Sequence, residues 1–292
     1  MPTTPTTLDA TLAARQQRLH DILTERGSVL IGMSGGVDSV LLAAVAHLAL
    51  GERAVAVTAD SPSLPRRELR ATEELARQLG LHHLVIRTDE LQDERYTANP
   101  VNRCYFCKSE LFAHLARLSR ELEIPWICYG ENVDDQGDHR PGSVAAGEYG
   151  VRAPLKEAGL SKADIRALAQ AHGLPIWDKP ALACLSSRFP YGTAITAELL
   201  ARVEAAEDAL WDRGFRQFRV RHFGDTAKLE TAPEEMAAAV AQSADLVAAF
   251  RAIGYRSVTL DLAGYRRGSM NEGVVAIAPG QIGVRAPGLP EV

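Results

Sequence analysis

Cysteine is scarce in this chain. Four in 292 residues are too few to staple a fold of this length, so the thiols are available for metal or redox chemistry. No apolar run approaches the ~20 residues that cross a bilayer, and residues 1–10 lack the basic-then-apolar plan of a secretory signal. The expectation is a cytoplasmic protein with no membrane partner. Positive charge is not in surplus either. A formal net charge of -5 argues against nucleic acid as a partner. There is no internal repeat, no low-complexity tract, and no G-x-x-x-x-G-K-[ST] run, which excludes a Walker A phosphate loop. What is present is a globular composition, 46% hydrophobic and 24% charged, on a chain long enough for about two domains.

The most informative stretch is Ser34, Gly35, Gly36, Val37, Asp38 and Ser39, or SGGVDS. Val29, Leu30 and Ile31 before it form a β-branched apolar run, and residues 40–50 carry apolar side chains at helical density. The six residues therefore sit on a strand-to-helix turn. Two glycines let the backbone approach an anion, and the first N–H groups of the helix point at it with the positive dipole end. Ser34 and Ser39 add hydroxyl donors. Asp38 repels an anion, so its use is to hold a cation, Mg²⁺, between carboxylate and phosphates. The run resembles the PP-loop of the N-type ATP pyrophosphatases. That resemblance implies cleavage of ATP between its α and β phosphates, with AMP formed, and not kinase chemistry.

Around this turn the pattern alternates. Residues 1–7 are polar, Pro- and Thr-rich and expected to be disordered. A helix is predicted over 8–26, strands over 53–60 and 82–88, and a helix over 65–79. This β-α-β-α-β succession implies an α/β fold, a doubly wound parallel sheet of PP-loop ATP pyrophosphatase type with ligands outside the carboxyl ends of its strands. An unpatterned segment precedes a helix predicted over 109–122 and a strand over 125–129. Residues 130–142 form a long polar connection at the same end of the sheet, and such length marks function. Ser161 and Asp164 give a capping-box start to a helix stopped by Gly173 and Pro175. After Pro190 the order changes to a helix over 196–213, strands over 218–223 and 228–231, a helix over 233–253 and a strand over 257–262. Two domains follow: residues 1–190 with the PP-loop, and residues 191–292 as a smaller C-terminal α+β domain for substrate binding or oligomerisation. A homo-oligomer is expected.

Cys104 and Cys107 form C-x-x-C, and Cys184 lies far downstream. Such a pair brings two sulfurs to one metal. A thioredoxin-like redox pair is the alternative, but the motif does not open a helix directly after a strand. Structural zinc would want a fourth ligand, and Cys128, in an apolar strand, reads as a packing residue. Three thiolates suit an iron–sulfur cluster that leaves one iron without a protein ligand.

The run CLSSRFPYG from Cys184, RPG from Arg140, FRVRHFGD from Phe218 and VTLDLAGYRRGSMN from Val258, taken with SGGVDS, resemble the LarE family. These are ATP-dependent sulfur transferases that help make the nickel-pincer nucleotide cofactor of lactate racemase. The matching segments span residues 19–271. The resemblance implies that ATP adenylates a carboxylate of pyridinium-3,5-biscarboxylic acid mononucleotide and that sulfur then displaces AMP to leave a thiocarboxylate. In some members a single cysteine at the position of Cys184 gives up its sulfur and becomes dehydroalanine. Members with two further cysteines hold a [4Fe–4S] cluster that delivers sulfide, which here implies Cys104, Cys107 and Cys184 as ligands and sulfide or another sulfur donor as partner. The resemblance also assigns Ser34, Gly35, Gly36, Asp38 and Ser39 to the ATP phosphates, and Lys108 to the vicinity of the substrate. Arg188 sits in the motif with Cys184. Arg219, Arg221 and Arg266 would take the mononucleotide phosphate, with Glu207, Asp225 and Glu230 as metal or pyridinium contacts. Arg219 and Arg221 alternate on one strand and so share a face, and guanidinium forks suit a phosphate.

Two other readings compete. A PP-loop tRNA thiolase would share the loop, the adenylation and a three-cysteine cluster, but it should carry a basic surface. A non-catalytic nucleotide-binding protein with a zinc-stabilised loop would share the sheet and release neither AMP nor pyrophosphate.

Overall fold

The computed structural model describes residues 9–135, 141–180, 183–266 and 270. The disorder expected over residues 1–7, together with Arg140, residues 267–269 and Asn271 of the quoted motifs, lies outside the described residues. The chain divides into two compact units, Met1–Cys184 and Leu185–Val292. The SSRFPYG run therefore belongs with the second unit.

The first unit runs α1 (Ala10–Arg26), β1 (Val29–Gly32), α2 (Val37–Leu50), β2 (Ala54–Asp60), α3 (Arg66–Gln78), β3 (His82–Arg87), α4 (Glu94–Thr97), α5 (Arg103–Glu121), β4 (Ile127–Tyr129), α6 (Pro141–Glu148), α7 (Pro154–Glu157) and α8 (Lys162–Ala171). Its four strands are parallel in the order β3-β2-β1-β4, with Val29 opposite Ala54, Val55 opposite His82 and Leu30 opposite Ile127. Side chains alternate between two cores, as the strand period requires. Val29, Ile31, Ala54 and Ala56 pack with Leu19, Leu23, Leu41, Val45 and Leu168 of α1, α2 and α8. Leu30, Val55, Val57 and Ile127 pack with Phe112, Leu115 and Ala145 of α5 and α6. Burial on both faces explains why the strands read as continuous apolar runs, each large side chain contributing about 1.5–3 kcal/mol. Beyond β4 the outer edge is met by one residue, Arg152, opposite Cys128. Arg152 N–H donates to the Ile127 carbonyl at 2.8 Å, and Tyr129 N–H donates to the Arg152 carbonyl at 3.0 Å.

The structure corrects the reading of the segment before β4. The helix begins at Arg103, not Ser109, so the C-x-x-C pair lies on its first turn instead of a loop. Ser109 lies inside the helix, where its hydroxyl donates to the Tyr105 carbonyl at 2.8 Å. The capping box at Ser161 and Asp164 forms as expected.

The second unit holds α9 (Ala197–Asp212), β5 (Phe218–Phe223), β6 (Thr226–Thr231), α10 (Met236–Ala241), α11 (Ser243–Ile253) and β7 (Ser257–Leu260). β5 and β6 form an antiparallel hairpin, and β7 joins β6 in parallel. The single helix predicted over 233–253 is in fact broken. Gln242, at φ −95° and ψ 15°, leaves the helical region, and the two halves meet at 83°. The break lets both halves reach one core, where Ala239 and Phe250 pack with Phe218, Val220, Leu229 and Tyr255. Among the described residues no single helix is long and apolar enough to cross a membrane.

Candidate functional site

SGGVDS forms the turn from β1 into α2. Gly36 is the N-cap of α2 and brings no side-chain cap, so the orphan N–H groups of the first turn are left for an anion. Ser39 braces the loop: its hydroxyl accepts the Ser34 N–H and donates to the Gly36 carbonyl, both at 3.1 Å. Thr58 of β2 fixes the loop's entry by donating to the Met33 carbonyl at 2.8 Å, and it also meets His83 Nε2 at 2.8 Å. Burial holds His83 below the usual imidazole range.

Gly35 has φ +77°, and a Cβ there would come within 2.1 Å of Thr72 Oγ1. Gly35→Ala is therefore expected to cost about 1–3 kcal/mol and to displace the loop. Thermal denaturation together with an ATP titration checks this, and an unshifted midpoint with intact affinity would contradict it. On the other side, Gly130 at the end of β4 lies so close that a Cβ would sit 2.7 Å from Ser39 N.

Asp38 is half-buried and oriented by two partners. Asn132 Nδ2 donates to one carboxylate oxygen at 2.9 Å, and the Lys162 ammonium is ion-paired with the other. A second lysine, Lys179, donates to the Gly35 carbonyl at 3.3 Å and is paired with Glu68 at 2.7 Å. Asn132 lies in the polar connection that length had marked. Gly130 belongs to the same connection, whereas Lys162 and Lys179 carried no such signal. Lys162 was hidden behind the capping box beside it, and Lys179 reaches the loop across more than a hundred residues of chain.

Cys104 and Cys107 sit three apart on α5 and so share a helix face. Cys104 is exposed as a residue, yet the protein gathered around its sulfur raises its thiol above the usual range, and the Cys184 sulfur adds to that rise. Burial raises Cys107 further, with Glu90 and Cys184 acting in the same direction. The three thiols thus lie within electrostatic reach of one another. Among the described residues no group of three or more His, Cys, Asp or Glu forms a metal-binding set. Cys128 is buried and its thiol is pushed up to about 12, which fits packing. Lys108 follows Cys107 and places its ammonium 5.7 Å from the Phe112 ring and 6.0 Å from that of Tyr129.

In the second unit the face of the sheet turned from the core carries the arginines. Arg188 is buried, with Nε and Nη2 each 2.8 Å from the Glu207 carboxylate, which also accepts the Val220 N–H. Arg221 gives two N–H groups to Glu230 and one to the Ser187 carbonyl. Glu207 and Glu230 are thus partners of buried arginines. Asp225 is in the exposed hairpin turn, 3.3 Å from Arg256. The Arg219 guanidinium lies 4.9 Å from the Tyr265 ring and donates to the Phe218 carbonyl. Burial, then the Arg188 charge, holds Arg219 below its ordinary range. Arg266 is exposed, and its charge adds to the Lys228 hydrogen bond that chiefly holds the Asp261 carboxyl below the usual range. Cations here outnumber carboxylates, a balance that invites an anion.

A family profile described as NAD synthase matches residues 11–100. The chain is 46% identical over 262 residues to an uncharacterized protein of Synechocystis, covering 89% of this chain and 98% of that one. It is 35% identical over 264 residues to the pyridinium-3,5-bisthiocarboxylic acid mononucleotide synthase of Lactiplantibacillus plantarum, covering 90% and 96%. An uncharacterized protein of Methanocaldococcus jannaschii is 26% identical over 238 residues, covering 82% and 90%.

Proposed function

This chain belongs to the LarE family of PP-loop proteins and is an ATP-using sulfur transferase, and from that premise we propose that it converts a carboxylate of pyridinium-3,5-biscarboxylic acid mononucleotide to a thiocarboxylate. The observation that carries the reading is the start of α2, where uncapped N–H groups face the same loop as the oriented Asp38 carboxylate. Such a site can hold a triphosphate while a substrate carboxylate oxygen attacks the α-phosphorus. The bond from that phosphorus to the bridging oxygen breaks, and pyrophosphate leaves with the electron pair. A sulfur nucleophile then attacks the acyl carbon and AMP departs. The first unit performs the ATP chemistry, and the second receives the acceptor.

Asp38 would hold Mg²⁺, and Cys104, Cys107 and Cys184 would hold a [4Fe–4S] cluster. Three thiols are the donor type that such a cluster takes. When bound, the ion neutralises phosphate charge and the cluster supplies sulfide from the iron that lacks a protein ligand. Lys162 and Lys179 position the loop and add positive charge near the leaving pyrophosphate, and Lys108 does the same beside the thiols. Arg219 and Arg266 bind the acceptor's phosphate. Arg221 and Arg188, whose forks are engaged by Glu230 and Glu207, contribute charge and hold the strand.

The test is AMP and pyrophosphate release that depends on the mononucleotide, with thiocarboxylate identified by mass. Release without the mononucleotide dependence, or with a tRNA dependence, would overturn the reading. Within it, Arg219→Lys is expected to weaken acceptor binding by about tenfold, because the ammonium cannot replace a two-point contact, while ATP affinity is kept. Calorimetric titration of each ligand checks this. Loss of ATP affinity with acceptor binding intact would reverse the roles.

A further inference from the structure

A cavity opens in the first unit at the carboxyl ends of β2 and β3, and none of the PP-loop residues 34–39 lines it. Its volume is about 630 Å³, within the range of small-molecule sites. Asp60, Arg66, Arg87, Asp89, Glu110 and His114 supply its charged wall. Two of these are spent on each other, since Arg66 is ion-paired with Asp60. Glu110 accepts the Asp89 N–H at 2.6 Å and lies 3.9 Å from His114. Arg87, by contrast, has no side-chain hydrogen bond or ion pair among the described residues. Among the described residues the Asp89 carboxylate accepts only from Gln92, at 3.3 Å, and is in no ion pair. The cavity therefore presents one uncommitted guanidinium and one uncommitted carboxylate, with Glu110 beside the latter.

That charge pattern selects against most simple ligands. A bare cation would be repelled by Arg87, and a phosphate group would meet Asp89 and Glu110. A molecule carrying both signs satisfies both walls. We propose that this cavity binds a small zwitterion of the α-amino acid class, its carboxylate on Arg87 and its ammonium on Asp89 and Glu110. Glu110 is three residues along α5 from Cys107, so its wall adjoins the thiol-bearing turn, which makes L-cysteine the first probe.

The experiment is calorimetric titration of the full-length, metal-free, reduced protein without ATP, so its outcome does not depend on the sulfur-transfer reading. Free amino acids are tested with L-cysteine first, alongside N-acetyl-L-cysteine, which lacks the ammonium, and cysteamine, which lacks the carboxylate. Saturable binding of a free amino acid is expected, with each capped or truncated form at least tenfold weaker. Arg87→Gln and Asp89→Asn should each lose at least tenfold while ATP affinity, measured on the same samples, is unchanged. No saturable binding by any free amino acid, equal binding of the one-charge analogues, or full affinity in both variants would overturn the proposal.

Discussion

A folded Asp38→Asn variant is expected to release pyrophosphate from ATP about a thousandfold more slowly than the parent chain, the order that follows from losing several kcal/mol of charge stabilisation. The substitution keeps the size of the side chain and leaves one oxygen to accept from Asn132 or Lys162, so the loop should hold its shape. What it removes is the negative charge that recruits a divalent ion to the phosphates. A pyrophosphate assay over a range of Mg²⁺ concentrations, with circular dichroism as the folding control, makes the measurement. Near-normal release from a folded variant would show that Asp38 is only a scaffold for Lys162.

The loop around Asp38 was legible in the sequence because its signals are local. Val29 to Ile31 read as a buried strand, Gly35 and Gly36 as a turn, and Val40 to Leu50 as a buried helix, all within a few residues of one another. What orients the aspartate was not legible. Asn132, Lys162 and Lys179 reach the loop from sequence separations of 94 to 144 residues; the length of the connection around Asn132 pointed to that end of the sheet, but nothing beside Lys162 or Lys179 announces the destination. In the second unit, the family resemblance singled out Arg219 and Arg221 and their alternation along β5 put them on one face, but their difference was not legible. The register sets Arg219 opposite Glu230 and Arg221 opposite Lys228, yet Glu230 takes the fork of its diagonal neighbour Arg221 while Arg219 lies against Tyr265, so the pairing is settled by side-chain packing and not by strand alternation. The break at Gln242 was also invisible, since the apolar pattern runs through it without a glycine or proline.

The other large effect concerns the thiols. Single replacements of Cys104, Cys107 or Cys184 by Ala are expected to abolish the visible absorbance of anaerobically reconstituted protein and to hold product below one equivalent per chain. Cys128→Ala should cost only about 1 kcal/mol of stability, as loss of one buried sulfur would. Burial keeps Cys104 and Cys107 protonated further up the pH scale than free cysteine, and ligation must displace those protons. Cluster uptake should therefore fall as pH is lowered and improve as it is raised. Iron and acid-labile sulfide analysis across a pH series, followed by mass spectrometry after turnover, tests all of this. Loss of H₂S from Cys184 in stoichiometric yield, with Cys104 and Cys107 dispensable, would show a single-use reagent instead.

The lone bridge that Arg152 makes on β4 bears on how copies of this chain can associate. A parallel sheet left open on that side would offer the unpaired backbone groups of β4 as a template for a strand from another molecule. With Ile127 and Tyr129 already bonded to Arg152, that template has no free rung at its centre. Sheet-to-sheet continuation between protomers is closed at that border. Any oligomer of this protein is then not made by running one continuous sheet across the β4 border.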